Sequence, residues 1–482
     1  MSKLNFQYQI HTNQKIGHYL FESTHWPERN HLSCDILIVG GGIAGLSAAA
    51  QLADQNILLC ELNEHVGGTA SCWHTHGEPF ATGAHYELPY PHYFGKAVPD
   101  FFKSLDLVEY DDEDKTWYFK DERYYIDEDA TEQCFVNHTY QDDILPASKA
   151  KRYFERLMHE YEGGMVMPTT ITPQKLHYLN GITFLDYLKN AKVNDKLISG
   201  INYKMRDDYG ANADQISALA GIHYYSCRNQ DYLDSIFSPP EGNAYFSHKI
   251  ANRIPSNAIK TQHLVKHIEK NTHGYTACVL DLRTQTKLEI HCKSVIYAGL
   301  KPALQKIYPV AYPLFEKNEY SAWMAIQFNL KASFHAQAFW QNEILLDEFK
   351  TPFLGFVDSA AQDQQKNSQR VLTAYFCFEP EERQKLMDIE QHVERYLQDA
   401  TDLMSLYFNQ ELHSQIDEAH VFLHGHAMPI PAPGYLLNNR NKSLIAEQGF
   451  FFAGVDNGRL PLLFEAVDSG LEAAKLAAAF LG

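Results

Sequence analysis

The sequence lacks paired cysteines and clustered positive charge. Its eight cysteines contain no CxxC pair, which is typical of reduced thiols in a cytoplasmic protein rather than of a disulfide framework. The formal net charge is −19, which argues against binding to nucleic acid or to anionic lipid. No group of metal ligands stands out among the 24 histidines, so we predict no metal site.

Long apolar runs are also missing. No run approaches the roughly 20 residues that cross a bilayer, so we expect no integral membrane segment. The N-terminal residues lack the basic start, apolar stretch and cleavage site of a secretory signal, which again favours the cytoplasm. Hydrophobic residues make up 45% and charged residues 21% of the 482 residues, as in a globular enzyme of two or three structural units.

A glycine-rich turn is the most informative motif. Residues 34–39 (CDILIV) are an apolar, β-branched run typical of a buried parallel strand. They lead directly into Gly40, Gly42 and Gly45, which have the GxGxxG spacing of dinucleotide-binding proteins. In that pattern the first glycine permits a tight turn and the second lets a pyrophosphate approach the backbone. The third lets the following helix pack against the strand.

The residues after the glycines complete the expected nucleotide site. Ile43 and Ala44 begin a helix whose amides and positive dipole end favour a pyrophosphate. A second strand, residues 57–62, ends near Glu61, whose carboxylate suits the hydroxyls of an adenosine ribose. Leu62 is assigned to the same site. The order of strand, glycines, helix, strand and acid predicts a dinucleotide-binding fold.

The next residues narrow the dinucleotide to FAD. Val66, Gly67 and Gly68 resemble the motif of glutathione-reductase-type flavoproteins, and within them of the flavin amine oxidase and phytoene desaturase superfamily. The resemblance implies a second close backbone approach to FAD at the two glycines. Thr69 is also assigned to the cofactor, although the family often has Arg there, so a cationic contact is missing.

Two further segments extend the resemblance towards the ring system and the adenine. Residues 80–86, with Gly83, Ala84 and His85, are similar to the small-residue stretch beside the isoalloxazine ring. Residues 240–270 resemble the return of the chain to the FAD domain. In such proteins the returning strand offers backbone amide groups to adenine, which implies this role for Val265.

The C-terminal residues resemble the family signature that holds the ribityl chain and the flavin pyrimidine. The implied cofactor contacts are Gly454, Asp456, Phe464 and Glu465. The family's acidic residue usually follows an Ala-Gly pair directly, whereas Val455 intervenes here.

The motifs together predict an α/β fold. A Rossmann-like FAD-binding domain with a parallel sheet is joined to a discontinuous α+β substrate domain of mixed sheet and helices. The predicted FAD-binding segments are 33–105, 240–310 and 440–482, after an N-terminal extension of 1–32. The predicted substrate segments are 106–239 and 311–439. These contain one or two hairpins from about residue 111, and helices near 148–162, 182–198, 213–224 and 380–408.

Four residues are candidates for catalysis. Lys301 and Lys306 follow the strand-like run 294–298, about where many flavin amine oxidases place a lysine that a water bridges to flavin N5; a surface lysine is the alternative. His426 and Tyr435 lie in a proline-rich segment that we expect to form a rigid loop near the flavin. Tyr435 either walls the substrate pocket or anchors the loop.

The segment around His426 also bears on how FAD is held. Some monoamine oxidases attach their flavin to a cysteine near this position, and no cysteine occurs here, so we expect noncovalent FAD. A histidyl link at His426 is the alternative.

The leading hypothesis for function is oxidation of a small-molecule amine by hydride transfer to flavin N5. Polyamines are slightly favoured because the net negative charge can attract cationic substrates. The alternatives are a desaturase or isomerase of an apolar, lipid-like substrate, as in phytoene desaturases or protoporphyrinogen oxidases, and a non-enzymatic flavoprotein with structural FAD. Only one GxGxxG occurs, so we expect electrons to pass to oxygen, a quinone or another acceptor rather than to a second bound nucleotide. The oligomeric state is left open.

Overall fold

A computed structural model describes residues 4–482 except 13–15, 18, 23–24, 87–94, 228–235, 364–368, 439–445 and 447. The strands are β1 (Gln7–His11), β2 (Glu28–Val39), β3 (Ile57–Cys60), β4 (Cys72–Thr75), β5 (Glu78–Ala81), β6 (Val108–Asp111), β7 (Thr116–Phe119), β8 (Glu132–Val136), β9 (Thr139–Gln141), β10 (Ile259–Lys260), β11 (His263–Asn271), β12 (Gly274–Asp281), β13 (Thr286–Tyr297), β14 (Tyr320–Leu330), β15 (Gln341–Leu345), β16 (Phe353–Asp358), β17 (Val371–Phe378), β18 (Ile416–Pro429) and β19 (Phe450–Phe452).

Helices lie between groups of these strands along the chain. The α-helices are Ile43–Gln51, Ala97–Ser104, Lys149–His159, Phe184–Asn190, Ile198–Tyr209, Ala218–Cys227, Ala244–Ala251, Leu304–Ile307, Arg383–Met387, Val393–Phe408 and Leu463–Leu481. None of the described helices is both long and apolar enough to cross a membrane. The mixture of helices and sheets confirms the predicted α/β class.

The first large sheet has seven strands in the order β10-β3-β2-β13-β12-β11, with β19 beside β13. Its centre is parallel, because β2 pairs in parallel with β3 and β13. Ile36, Leu37 and Ile38 of β2 have no exposed surface and belong to cores on both faces of the sheet. A strand buried on both faces needs a continuous apolar run, which is why residues 34–39 show no alternation. The strands of this sheet come from the predicted FAD-binding segments, except for the first residues of β2, which precede residue 33.

The second large sheet has eight strands in the order β1-β18-β14-β17-β16-β15-β8-β9. Its central strands β14 and β17 are buried along their whole length. One face shares a core with the helix Val393–Phe408, and the other shares a core with the helices Ile198–Tyr209 and Ala218–Cys227. The sheet is mixed and covered by helices, as predicted for the substrate domain.

Several boundaries differ from the prediction. The expected extension 1–32 contains β1, which pairs in parallel with β18, and the start of β2 at Glu28. Residues 28–33 are mainly polar (ERNHLS), so their pairing with β13 leaves no apolar signal in the sequence. The proline-rich segment is only partly a loop, because β18 runs through His424 and His426 to Pro429. The expected helix near 380–408 is divided into Arg383–Met387 and Val393–Phe408. Of the one or two hairpins expected from about residue 111, one forms as β6-β7, and β8-β9 forms another beyond the predicted stretch.

Candidate functional site

The glycine loop lies where β2 ends and the helix Ile43–Gln51 begins. Gly40 has φ +101°, and a Cβ added to it would lie 2.9 Å from the backbone of Ala298. A Cβ added to Gly45 would lie 1.9 Å from the carbonyl oxygen of Gly40. The folded chain therefore requires glycine at both positions, one for the turn and one for the packing of helix on strand.

Gly42 is different, because nothing in the protein requires it to be glycine. Its φ of −72° is open to any residue. A Cβ added there would meet no atom closer than the Gly67 carbonyl oxygen at 4.0 Å. The loop thus leaves room at the one position where the motif places a pyrophosphate, which fits a dinucleotide cofactor.

The second glycine pair lies beside the first. Gly67 donates its N–H to the carbonyl of Gly41 at 2.8 Å and forms a parallel bridge with Gly42. Gly67 and Gly68 have φ values of +124° and +63°, which side chains rarely adopt. Thr69 follows at an exposed position. The two glycine segments therefore offer adjoining backbone to one extended ligand.

Glu61 lies at the end of β3 against the same loop. Its carboxylate accepts hydrogen bonds from the amides of Gly41 at 2.6 Å and Asn63 at 2.8 Å. Burial raises the pKa of Glu61, and these hydrogen bonds oppose that rise. A carboxylate has about four lone-pair sites, so two backbone donors leave capacity for ribose hydroxyls.

The expected adenine residues lie beside Glu61. The amide of His263 donates to the Glu61 carbonyl at 2.8 Å, which places the first residues of β11, including buried Val265, next to this acid. Leu62, the residue after Glu61, is partly exposed. The structure thus brings Leu62 and Val265 to the end of the site where the ribose is expected.

The segment expected beside the flavin ring is fixed by two others. The amide of Asn243 donates to the Ala84 carbonyl at 2.9 Å, while Ala84 itself is exposed. A Cβ on Gly83 would lie 2.3 Å from the carbonyl oxygen of Thr69, so Gly83 packs directly on the second glycine segment. His85 follows immediately.

The C-terminal segment closes the same region. A Cβ on Gly470 would lie 2.2 Å from the Ala44 carbonyl oxygen, so the helix Leu463–Leu481 packs closely on the helix of the glycine loop. Gly454, with φ +115°, precedes this helix, and Phe464 begins its first turn. The first amides of a helix have no partner within it, so they can serve a cofactor.

Two acids in this segment are already engaged by the protein. The Glu465 carboxylate accepts from the Thr169 amide at 2.7 Å and from Arg459 at 3.2 Å. Asp456 accepts from Lys301 at 2.7 Å. The Asp456 carboxylate, which the resemblance assigns to the ribityl chain, thus pairs with a lysine, and its cofactor role stays a prediction. The cofactor role of Glu465 likewise stays a prediction.

The two candidate lysines have different positions. Lys301 has no exposed surface, and its Nζ donates to Asp456 and to the carbonyls of Ala453 at 2.8 Å and Gly299 at 3.2 Å. Its three N–H groups are thus all used. Lys306 is exposed, with Nζ 5.6 Å from the ring of Phe21. Lys306 therefore lies on the surface, the alternative that the sequence left open for these lysines, and its expected catalytic role stays a prediction. Lys301 holds two strand ends together.

His426 and Tyr435 belong to the surroundings of this ion pair. The Tyr435 hydroxyl donates to the Val455 carbonyl at 2.8 Å, so this tyrosine anchors the proline-rich segment, which was one of its two expected roles. His426 lies 5.3 Å from the ring of Tyr320 and 3.3 Å from an Arg383 nitrogen. Burial and the Arg383 charge lower the pKa of His426 to about 4, so its imidazole is neutral at neutral pH.

A group of aromatic side chains beside Gly83 was not predicted. We call His85, Tyr86, Trp340 and Tyr375 the His85 aromatic group. The His85 ring lies 5.1 Å from Tyr375 and 5.6 Å from Trp340, and Tyr86 lies 5.1 Å from Trp340. The Tyr375 hydroxyl donates to the Gly83 carbonyl at 2.9 Å. These residues come from separate parts of the chain, so no spacing in the sequence indicated the group.

Possible metal ligands also converge at two places. Glu132, Cys134 and Glu343 have ligand atoms within 4.8 Å of one another, as do His31, Glu289 and His291 on an exposed strand face. The first group already binds Lys204, whose Nζ lies 2.6 Å from Glu132 and 2.7 Å from Glu343. The expectation that the protein has no metal site stays a prediction, because the first group is occupied by a lysine and the second is exposed.

Comparisons with known proteins match a family model and solved structures to most of the chain, and one curated protein to part of it. A sequence profile of the family described as flavin containing amine oxidoreductase matches residues 43–478. Carotenoid 3,4-desaturase of Haloarcula japonica is 31% identical over 140 residues, a match that spans 26% of this chain and 28% of that protein. Putrescine oxidase bound to putrescine is 13% identical with a TM-score of 0.66, over 93% of this chain and all of that one. Cyclohexylamine oxidase from Brevibacterium oxydans IH-35A is 16% identical with a TM-score of 0.65, over 93% and 99%.

Proposed function

Because the chain belongs to the family of flavin-containing amine oxidoreductases, with FAD as the cofactor, we propose that it oxidises an amine. That the substrate is an amine is our inference, because solved structures less than 25% identical to this chain show only a shared fold. Polyamines are favoured within that class, because a net charge of −19 attracts cations over long distances. All eight cysteines are free thiols, which supports a reducing, cytoplasmic location.

The His85 aromatic group is the observation that carries this proposal. It lies against Gly83 and Ala84, which the resemblance assigns to the flavin ring. Aromatic faces attract cations and exclude water, and both effects suit the binding of an alkylamine. The group is tied to the cofactor segment by the bond from Tyr375 to Gly83. An amine held there would lie beside the reactive ring.

His85 supplies the polar contact within this wall. Its Nε2 is buried and meets no described residue at hydrogen-bonding geometry, although the side chain of Gln341 lies close enough to the imidazole to favour its charged form. Burial outweighs Gln341 and lowers the pKa of His85 to about 4, so the imidazole stays neutral near pH 7. A neutral ring nitrogen can accept a hydrogen bond from the N–H of an uncharged amine. FAD, when bound, would supply the hydride-accepting chemistry, while the His85 aromatic group would orient the amine and exclude water.

Anaerobic reduction of the bound flavin tests the proposal. Putrescine, spermidine, cyclohexylamine and benzylamine are each mixed with the oxidised protein, and the loss of flavin absorbance is followed. We expect at least one amine to bleach the flavin, while 1,4-butanediol, which matches putrescine without nitrogen, leaves it oxidised. If dithionite bleaches the flavin and no amine does, the proposal is wrong. Mixing the reduced protein with oxygen or a soluble quinone then identifies the acceptor.

A second candidate function rests on the match to the carotenoid desaturase. That relative is 31% identical over 140 residues, above the identity of the amine oxidase structures. The competing proposal is dehydrogenation of an apolar polyene. The same anaerobic assay with a carotenoid in detergent micelles distinguishes the two, because bleaching by the polyene alone would favour desaturation.

A further inference from the structure

We propose that Tyr19 and Trp26 form a wall of the pocket that holds the adenine of FAD. They line a cavity of about 280 Å³ together with Leu62, Asn63 and Gln262. Both aromatic residues precede residue 43, so they lie outside the part of the chain that the family match covers. The proposal depends on the FAD cofactor and not on the identity of the substrate.

The cavity lies at the adenosine end of the cofactor site. Leu62 and Asn63 directly follow Glu61, whose carboxylate lies on the glycine loop. The amide of Gln262 donates to the Asn63 carbonyl at 2.9 Å, and Gln262 leads into β11 and Val265. Sequence motifs assign Glu61 to the ribose and Val265 to the adenine. The cavity therefore opens beside the expected positions of the ribose and the adenine.

The size and lining of the cavity fit one flat, uncharged ring system. A volume of about 280 Å³ is just below the roughly 300–1,000 Å³ that a complete drug-sized ligand occupies, so it suits a base rather than a whole dinucleotide. Glu64 is the charged residue in the described lining, which contains no Lys or Arg, and this disfavours a phosphate. The side-chain amide groups of Gln262 and Gln285 can both donate hydrogen bonds to the edge of adenine and accept hydrogen bonds from it.

The two aromatic rings are positioned by contacts of the N-terminal segment with the first sheet. Their centroids lie 5.4 Å apart with an angle of 60° between the planes, so they form two sides of a corner. Nζ of Lys266, on β11, donates to the Tyr19 carbonyl at 3.0 Å. The amide of Lys287, on β13, donates to the Pro27 carbonyl at 2.9 Å. The strand that is expected to contact adenine thus also fixes its aromatic wall.

Binding of FAD and FMN to the flavin-free, full-length protein tests this proposal, because FMN lacks the adenosine. Dissociation constants are measured by flavin fluorescence for wild type, Tyr19→Ala, Trp26→Ala and the control Phe21→Ala. Phe21 lies in the same segment, but it is 63% exposed and its ring faces Lys306 instead of the cavity. We expect the Tyr19 and Trp26 variants to weaken FAD binding about tenfold and leave FMN unchanged, since stacking on a base has about this effect. The control should match wild type with both flavins.

Three outcomes would overturn the proposal. Unchanged FAD affinity in both variants would show that neither ring contacts the cofactor. Equal weakening of FAD and FMN would show damage to the fold rather than loss of an adenine contact. If FMN binding is too weak to measure, competition between ADP and FAD replaces it. The inhibition constant of ADP should then rise by the same factor as the dissociation constant of FAD. An ADP constant that stays at the wild-type value refutes the wall. A failure of amines to reduce the flavin would leave all these measurements intact.

Discussion

Lys301 and Asp456 form a buried ion pair, with Nζ of the lysine 2.7 Å from Oδ1 of the acid. The lysine follows β13 and the acid follows β19, so the pair joins the ends of two parallel strands. Gly454, the expected cofactor contact, lies between the Ala453 carbonyl that Lys301 also binds and Asp456. The geometry of this part of the cofactor site therefore depends on a charge pair.

We expect Lys301→Met to destabilise the protein strongly. The substitution leaves the Asp456 carboxylate buried without its partner, and breaking one side of a buried pair costs about 3–5 kcal/mol. Urea unfolding measures the change. Lys306→Met is the matched control, because this exposed lysine should change the free energy of unfolding by no more than about 0.5 kcal/mol. Equal stability of the two variants would contradict the structural role of Lys301.

Gly42→Ala and Gly45→Ala should separate cofactor binding from folding. The fold has room for a methyl group at Gly42, so the flavin-free protein should lose less than about 1 kcal/mol of stability. Its affinity for FAD should fall about tenfold or more, because the methyl group occupies the approach of the pyrophosphate. A Cβ at Gly45 would lie 1.9 Å from a carbonyl oxygen, so Gly45→Ala should lower stability by about 1–3 kcal/mol or more.

Flavin titration and urea unfolding of both glycine variants provide the measurements. Full retention of FAD affinity by Gly42→Ala would show that the cofactor does not approach the backbone at this position.

Acid should destabilise the fold through His426. Burial and Arg383 lower its pKa to about 4 in the folded state, against about 6.5 when unfolded. Between these values the unfolded chain binds the extra proton, so stability falls as pH decreases from about 6.5 to 4. The slope from one such histidine is at most about 1.4 kcal/mol per pH unit. Unfolding at pH 7.5 and 5.0 should show a smaller loss for His426→Gln than for wild type. An identical loss in both proteins would mean that His426 titrates normally.

The ring of Tyr375 should matter more for turnover than its hydroxyl does. Tyr375→Phe keeps the aromatic wall and loses the bond to the Gly83 carbonyl, so we expect a stability change of about 1 kcal/mol. Tyr375→Leu removes the wall and should slow anaerobic flavin reduction by a substrate amine about tenfold or more, while reduction by dithionite is unchanged. Wild-type rates in the leucine variant would exclude the His85 aromatic group from substrate binding.

Local motifs were predictable because their physics is local. The turn at Gly40 and the helix packing at Gly45 need particular backbone conformations or space within a few residues. Such needs appear directly as glycine spacing. The apolar run of residues 34–39 likewise reports a strand buried on both faces. The polar start of β2 had no comparable signal, because its partner strand β13 lies more than 250 residues away.

The sequence alone predicted a dinucleotide-binding fold, since the glycine spacing and the hydrophobic patterning reflect contacts between neighbouring residues. The resemblance of the later motifs to flavoproteins narrowed the dinucleotide to FAD. Only the tertiary structure decided which charged and aromatic side chains meet. Lys301 and Lys306 lie five residues apart, yet one is buried by Asp456 and the other is exposed. The His85 aromatic group and the wall of Tyr19 and Trp26 depend on the folding together of segments remote in sequence. Their positions follow from how the sheets pack, and no local spacing records that packing.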